Sequence, residues 1–381
     1  MRILGRDEAR RYLVAHLGLM RTSARGVAGV RRTLEALRCV QLDPLDAIGT
    51  NADLVMLARV DAIARGDVYR ATLPRHAFEH FAKERCLLPA AVFPQYRERA
   101  LETPWWRLRD RAQRVDAGVL DAVLREVRER GPIGAAALTD HGDVEPLDWS
   151  GWKGTGRMTT MALEILWTRC AVVVAGRARD GGKLYDVPER ALPDHHHAPA
   201  EPFERWALLD RVRAAGLLAR AGGAHWSSLA PVRTSGVPDE LIEEGVLEEV
   251  SIEGARRPYL ALAGMNAPRT RDDGRMRILG PLDPLLWDRK LVKEAFGFDY
   301  VWEVYKPKVE RRWGWYVCPL LHRGRLVGRL EARIDGRAML VERLWTEENE
   351  MLDEDALDAA LERHAIACGA DVVRRKRAAR R

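Results

Sequence analysis

Gln41 and Asp43, in the stretch Cys39-Val40-Gln41-Leu42-Asp43-Pro44-Leu45, are of the right types and at the right spacing to work on one water molecule. The stretch follows a helix and reads as a short strand that ends in a turn. Side chains alternate along a strand, so Val40 and Leu42 take one face while Gln41 and Asp43 take the other, roughly 6.5–7 Å apart. One water can sit between an amide and a carboxylate at that distance. Pro44 pushes Asp43 into the extended region, so the covalent chain sets part of the geometry. A carboxylate and an amide that share a water do the chemistry of a hydrolase.

Leu-Asp-Pro-Leu recurs at Leu282 to Leu285, where no glutamine precedes it. The tetrapeptide alone therefore diagnoses nothing, and most polar strand faces are simply solvated. Meaning has to come from the rest of the chain.

At 381 residues the chain exceeds one ordinary core, and two to four domains are expected. A hydrophobic content of 47% with 31% charged residues excludes a disordered or fibrous protein. No signal peptide, transit peptide or membrane span is legible, which places the protein in the cytoplasm and away from membranes. Cys39, Cys86, Cys170, Cys318 and Cys368 are far apart, with neither disulfide nor zinc-site spacing. His195-His196-His197, in a Pro-rich stretch, reads as a loop. The net charge of +6 conceals a division: residues 347–373 carry −8, the tail from Arg374 carries six cations, and residues 1–346 are left at +8. A basic body suits a polyanionic partner.

The elements that must position Gln41 and Asp43 are a helix over residues 7–17 and a second that carries Val27, Val30, Leu34 and Leu37. Short helices are expected at 51–59 and 76–83. Apolar positions from Val119 to Val127 then mark a helix ended by Gly131-Pro132, followed by a small Ala-rich helix, a helix over 158–167 and a hairpin turning at Asp180-Gly181-Gly182. Helix, short helix, helix and hairpin is the order of a winged helix. It recurs over 203–262 with a helix at 203–215, a helix at 238–244 and a hairpin of 247–252 with 259–262. The N-terminal segment reads as a third copy whose wing strand holds Gln41 and Asp43. After a polar linker at 269–274, strands at 300–305, 313–321, 325–334 and 338–344 suit an antiparallel sheet. The expected architecture is α+β: tandem winged helix-turn-helix domains at 1–112, 113–200 and 201–270, a C-terminal antiparallel β-rich region at 271–346, and an acidic helix with a basic tail at 347–381.

Three stretches resemble the AlkZ/YcaQ type of winged-helix DNA glycosylases. The first is Gln41-Leu42-Asp43, which is similar to that family's Gln-aliphatic-Asp (or Gln) motif. The second is Trp152-Lys153 with Ala162-Leu163-Glu164 and the run from Lys183 to Pro193. The third is Leu282 to Lys290, followed by Phe296 to Tyr300 and Gly314 to Val317. The resemblance implies three tandem winged helices, hydrolysis of the N-glycosidic bond of alkylated purines (in some members crosslinked N7-alkylguanines), and no metal or organic cofactor. It also implies that Gln41 and Asp43 position and activate the attacking water. Many members carry an Arg and a pair of His just after the motif; here Thr50-Asn51-Ala52-Asp53 stand instead, a difference that bears on substrate range and activity.

The chemistry fits. An N7-alkylated guanine is cationic and departs readily, and a nearby carboxylate stabilises the oxocarbenium-like sugar it leaves behind. The expected partner is double-stranded DNA carrying alkylated bases, and no obligate protein partner is implied. Lys153, Arg157, Arg311 and Arg312 are candidates for phosphate contacts, the last two beside Trp313, Trp315 and Tyr316. A non-catalytic winged-helix DNA-binding protein, regulatory or architectural, is the alternative from another class. The glycine-rich Gly151-Trp152-Lys153-Gly154-Thr155-Gly156 lacks the spacing and placement of a P-loop.

Overall fold

The computed structural model describes residues 2–100, 110–145, 156–266, 271–348 and 350–375. Helices and small sheets are mixed along the chain in an α+β arrangement. The chain divides into two compact units: Met1–Val68 with Ala82–Cys86 and Glu204–Arg381, and Tyr69–Phe81 with Leu87–Phe203.

In the second unit the helix Ala117–Arg130 buries Leu120, Val123 and Val127 and stops at Gly131. There the backbone comes so close to its neighbours that a Cβ would lie 2.5 Å from Asp186 Oδ1. The helix Met158–Thr168 follows, then the strands Val173–Arg177 and Lys183–Asp186, which form a three-stranded antiparallel sheet with Ile133–Gly134. Their apolar faces meet in one core that includes Val123, Ile165, Trp167 and Val174.

Residues 76–83, expected as a helix, contain the strand Ala77–Phe81. Periodicity fails here because its first four side chains are all buried, on both faces. The Glu79 carboxylate meets Arg177, and the His80 ring bonds the Thr168 carbonyl at 3.0 Å.

In the first unit the helices Phe203–Ala215 and Val237–Glu243 precede the hairpin Leu247–Ile252 and Pro258–Leu262. Arg2–Leu4 adds to this sheet in parallel and Leu218–Ala219 closes its other edge. A five-stranded sheet follows in the order Arg277–Ile278, Val317–His322, Arg325–Asp335, Ala338–Thr346 and Val372–Arg375, antiparallel except for the last pairing. The acidic C-terminal stretch forms the helix Glu354–Ala367, capped by Asp353 with Glu354 and Asp355 at the positive end of its dipole. Its Leu357 and Leu361 share a core with Ile48 and Leu54, and His364 Nε2 bonds the Ile48 carbonyl at 2.6 Å. The helix thus holds the loop that follows Asp43.

Two expected strands differ. Residues 300–305 form no strand, because the Glu303 carboxylate gathers the N–H groups of Arg312 at 3.1 Å and Trp313 at 2.7 Å and folds the segment into a loop. The strand expected at 313–321 begins only at Val317. Gly314 lies against Glu331, whose Oε1 would be 2.5 Å from an added Cβ.

The helix Asn51–Leu57 is tied to the second Leu-Asp-Pro-Leu by a buried ion pair, Arg59 Nη1 and Nη2 to Asp283 at 2.7 and 2.9 Å. Removing one partner strands the other charge in the interior, so Arg59→Met is expected to cost about 3–5 kcal/mol, read as a lowered denaturant midpoint with an unchanged slope.

Candidate active site

The helix Gly26–Leu37 ends at Arg38, which takes φ 64° and turns the chain toward the strand Val40–Gln41. That turn is anchored by Arg38 Nε, 2.6 Å from Asp210 Oδ1. The Leu42 N–H donates to the Arg85 carbonyl at 2.8 Å. Gln41 is only 7% exposed, so its amide is not a solvated strand side chain. Its Oε1 accepts from Lys83 Nζ at 2.7 Å, and its carbonyl accepts from Asn51 Nδ2 at 2.8 Å.

Lys83 decides what Gln41 can do. An ammonium has only donors, so it selects the amide oxygen and leaves Nε2 as the group offered elsewhere. The amide can then hold a water or substrate oxygen by donation. The Lys83 ammonium is also 5.4 Å from the Trp287 ring centroid. Burial lowers its pKa.

Asp43 lies in the turn that Pro44 begins. Its Oδ1 accepts from the Leu45 N–H at 2.9 Å, which holds the carboxylate in place. Burial raises its pKa above the usual value, partly offset by that N–H. A carboxylate shifted upward is better suited to take a proton near neutral pH. Asp283 makes the same local turn, its Oδ1 accepting from Leu285 N at 3.0 Å, but it is fully buried and neutralised by Arg59. Among the described residues Asp43 has no such cation.

Asn51 joins the two copies. While Nδ2 holds the Gln41 carbonyl, Oδ1 accepts from the Leu282 N–H at 3.0 Å and Nδ2 also reaches the Leu282 carbonyl at 3.3 Å. The segment that carries Asn51 is a capped helix start: Thr50 and Asp53 form a capping box.

Of the basic candidates, Arg157 lies in the second unit, 3.5 Å from Asp140 and at the start of the helix Met158–Thr168. Arg311, in the first unit, is turned inward with Nε on the Lys306 carbonyl at 2.8 Å. Arg312 is exposed, its guanidinium 4.6 Å from the Trp313 ring centroid. Lys153 lies outside the described residues. Sequence reading missed Lys83, Asn51 and Glu303; only the change at the family's His positions pointed to Asn51. Among the described residues no cluster of His, Cys, Asp or Glu is placed to hold a metal ion.

A sequence model described as "DNA glycosylase AlkZ-like" matches residues 34–366. The chain belongs to the AlkZ-like DNA glycosylase family. Its fold is similar to that of Streptomyces sahachiroi DNA glycosylase AlkZ, with a TM-score of 0.63 at 19% identity over 98% of this chain and 100% of that one. An AlkZ-like enzyme is a DNA N-glycosylase, which cuts the bond between a base and its sugar.

In this AlkZ-like chain Lys83→Met removes the donor to Gln41 and leaves the amide free to turn. A hydrogen bond to a charged group contributes about 1.5–3 kcal/mol, so the single-turnover rate on a glycosylase substrate is expected to fall roughly 10–100-fold. An unchanged rate would show that Lys83 does not orient Gln41.

Proposed function

We propose that this enzyme repairs alkylated DNA by hydrolysing the N-glycosidic bond of N7-alkylguanine-type purines, crosslinked ones included, with Gln41 and Asp43 as its catalytic residues. The observation that carries this reading is the contrast between Asp43, held in a turn with no paired cation among the described residues, and Asp283, held in the same turn and neutralised by Arg59.

In the proposed step the oxygen of a water held by Gln41 Nε2 bonds to C1′ while Asp43 takes one of its protons. The C1′–N9 electron pair leaves with the base, and because the alkylated purine was cationic it departs neutral, so no strong general acid is required. The carboxylate also faces the positive charge that develops on the sugar. Asn51, at the place of the family's histidines, joins the Gln41 strand to the Leu282 loop, so in this chain that position supports the motif through the backbone.

The same reading takes the successive helix and hairpin sets as three winged helices, within 1–112, 113–200 and 201–270, on duplex DNA in the cytoplasm, with residues 271–346 as a β-rich region and 347–381 as an acidic helix and basic tail. Arg157, Arg312 and Lys153 are proposed phosphate contacts. Arg311 is proposed to act mainly by shaping its loop.

Strand cutting by alkali after incubation with a duplex bearing one N7-alkylguanine tests the chemistry. Asp43→Asn is expected to lower the single-turnover rate about 10²–10⁴-fold while DNA binding persists. Cutting that survives this change would remove Asp43 from the mechanism.

The pH dependence has a definite sign. Asp43 must be ionised to act, and burial raises its pKa, so the rate is expected to fall on acidification through a midpoint above the ordinary 3.8. The same upward shift opposes folding at neutral pH, because ionising a group that the fold holds back is a cost. Asp43→Asn is therefore expected to be at least as stable as the wild type at pH 7, as a thermal melt would show.

A further inference from the structure

A cleft of about 580 Å³ opens in the first unit beside the Gln41 site. Lys83, Arg257, Arg289 and Lys290 line it, together with the turn Gly222-Gly223. Its one lining carboxylate, Asp288, is already engaged: Oδ2 meets Arg257 Nη2 at 2.6 Å, and Oδ1 accepts from the N–H groups of Lys290 and Leu291, each at 3.1 Å. Arg289 and Lys290 are exposed, and among the described residues neither has an ion-pair partner. The cleft therefore carries an excess of positive charge.

The glycine turn adds a second observation. Gly222 and Gly223 take φ 135° and 143°, in the region that side chains rarely adopt. At Gly222 an added Cβ would meet nothing, so backbone conformation and not crowding calls for glycine there. Consecutive glycines bring bare main chain to the wall of a cationic cleft, as in many phosphate sites. Beneath it His225 is buried against the Trp287 ring, 5.3 Å between centroids, with Nε2 unpartnered among the described residues.

We infer that this cleft is a phosphate-binding site that seats one phosphate group beside Lys83 and so connects it to Gln41. The phosphate has two possible sources, the backbone of DNA or a free phosphate species. DNA is the source that follows if the chain acts as proposed above. Lys83 lines the cleft and holds Gln41 Oε1, so an occupant would bear directly on the catalytic amide.

The test compares wild type with an Arg289→Glu/Lys290→Glu variant, two exposed side chains whose change leaves the core untouched. Binding of an undamaged duplex is measured across a salt series, and inorganic phosphate is titrated separately by calorimetry. A DNA phosphate in the cleft is expected to make the variant's salt slope shallower by about one, with weaker binding that does not depend on sequence. A free phosphate source is expected to leave the slope unchanged, while inorganic phosphate binds the wild type and not the variant. An unchanged slope together with no variant-sensitive phosphate binding would overturn the site. Neither readout uses base excision: a wild type that fails to cut alkylated DNA would sink the proposed reaction and leave the phosphate site standing or falling on its own binding data.

Discussion

Asn51 commits both ends of one buried amide to backbone from two distant parts of the chain, the Gln41 carbonyl and the Leu282 N–H and carbonyl. Asn51 is 1% exposed, so losing either contact would leave a buried polar group unpaired. Gly280 shows how tightly it is set: a Cβ there would lie 2.5 Å from Asn51 Oδ1. Gln41 owes its place to this contact, and the Trp287 wall is fastened to the same loop through Trp287 Nε1 on the Leu282 carbonyl at 2.7 Å.

Two copies of Leu-Asp-Pro-Leu then separate by burial and by charge partner. Both aspartates accept an N–H two residues on, so proline and sequence set one backbone turn twice. Arg59 faces Asp283 and turns it into a buried fastening, whereas half-buried Asp43 meets no matching cation among the described residues. The first is a poor base because its charge is already satisfied. The second gains by taking a proton. What distinguishes the two aspartates is the partner across the turn and the depth of burial, not the tetrapeptide.

This explains how much could be read from sequence. The helix Phe203–Ala215 and the hairpin Leu247–Ile252 with Pro258–Leu262 were legible because each follows a local period or turn signal, whereas the strand expected to run through Asp43 ends at Gln41 and leaves Asp43 in the turn that follows. Residues 76–83 misled because a strand buried on both faces has no period of two to show, and its Glu79 is stabilised by Arg177, 98 residues away. The 300–305 segment misled because its aromatic residues favour strands while one carboxylate, Glu303, bends it into a loop. Lys83 carried no signal, since its role depends on a partner 42 residues distant and on a ring at Trp287.

Burial moves the two ionisable groups nearest the motif toward neutrality, Lys83 downward and Asp43 upward. For Asp43 this is productive, since a reluctant anion is a stronger base. For Lys83 the shift works against the ammonium that donates to the Gln41 oxygen. A phosphate seated in the cleft, as inferred above, would oppose the second shift without undoing the first. Its negative charge favours the Lys83 ammonium, and whatever part of that charge reaches Asp43 disfavours the carboxylate and raises its pKa further. If that phosphate belongs to DNA and Asp43 is the base proposed above, the incoming backbone would favour the ammonium on Gln41 and the more basic carboxylate together.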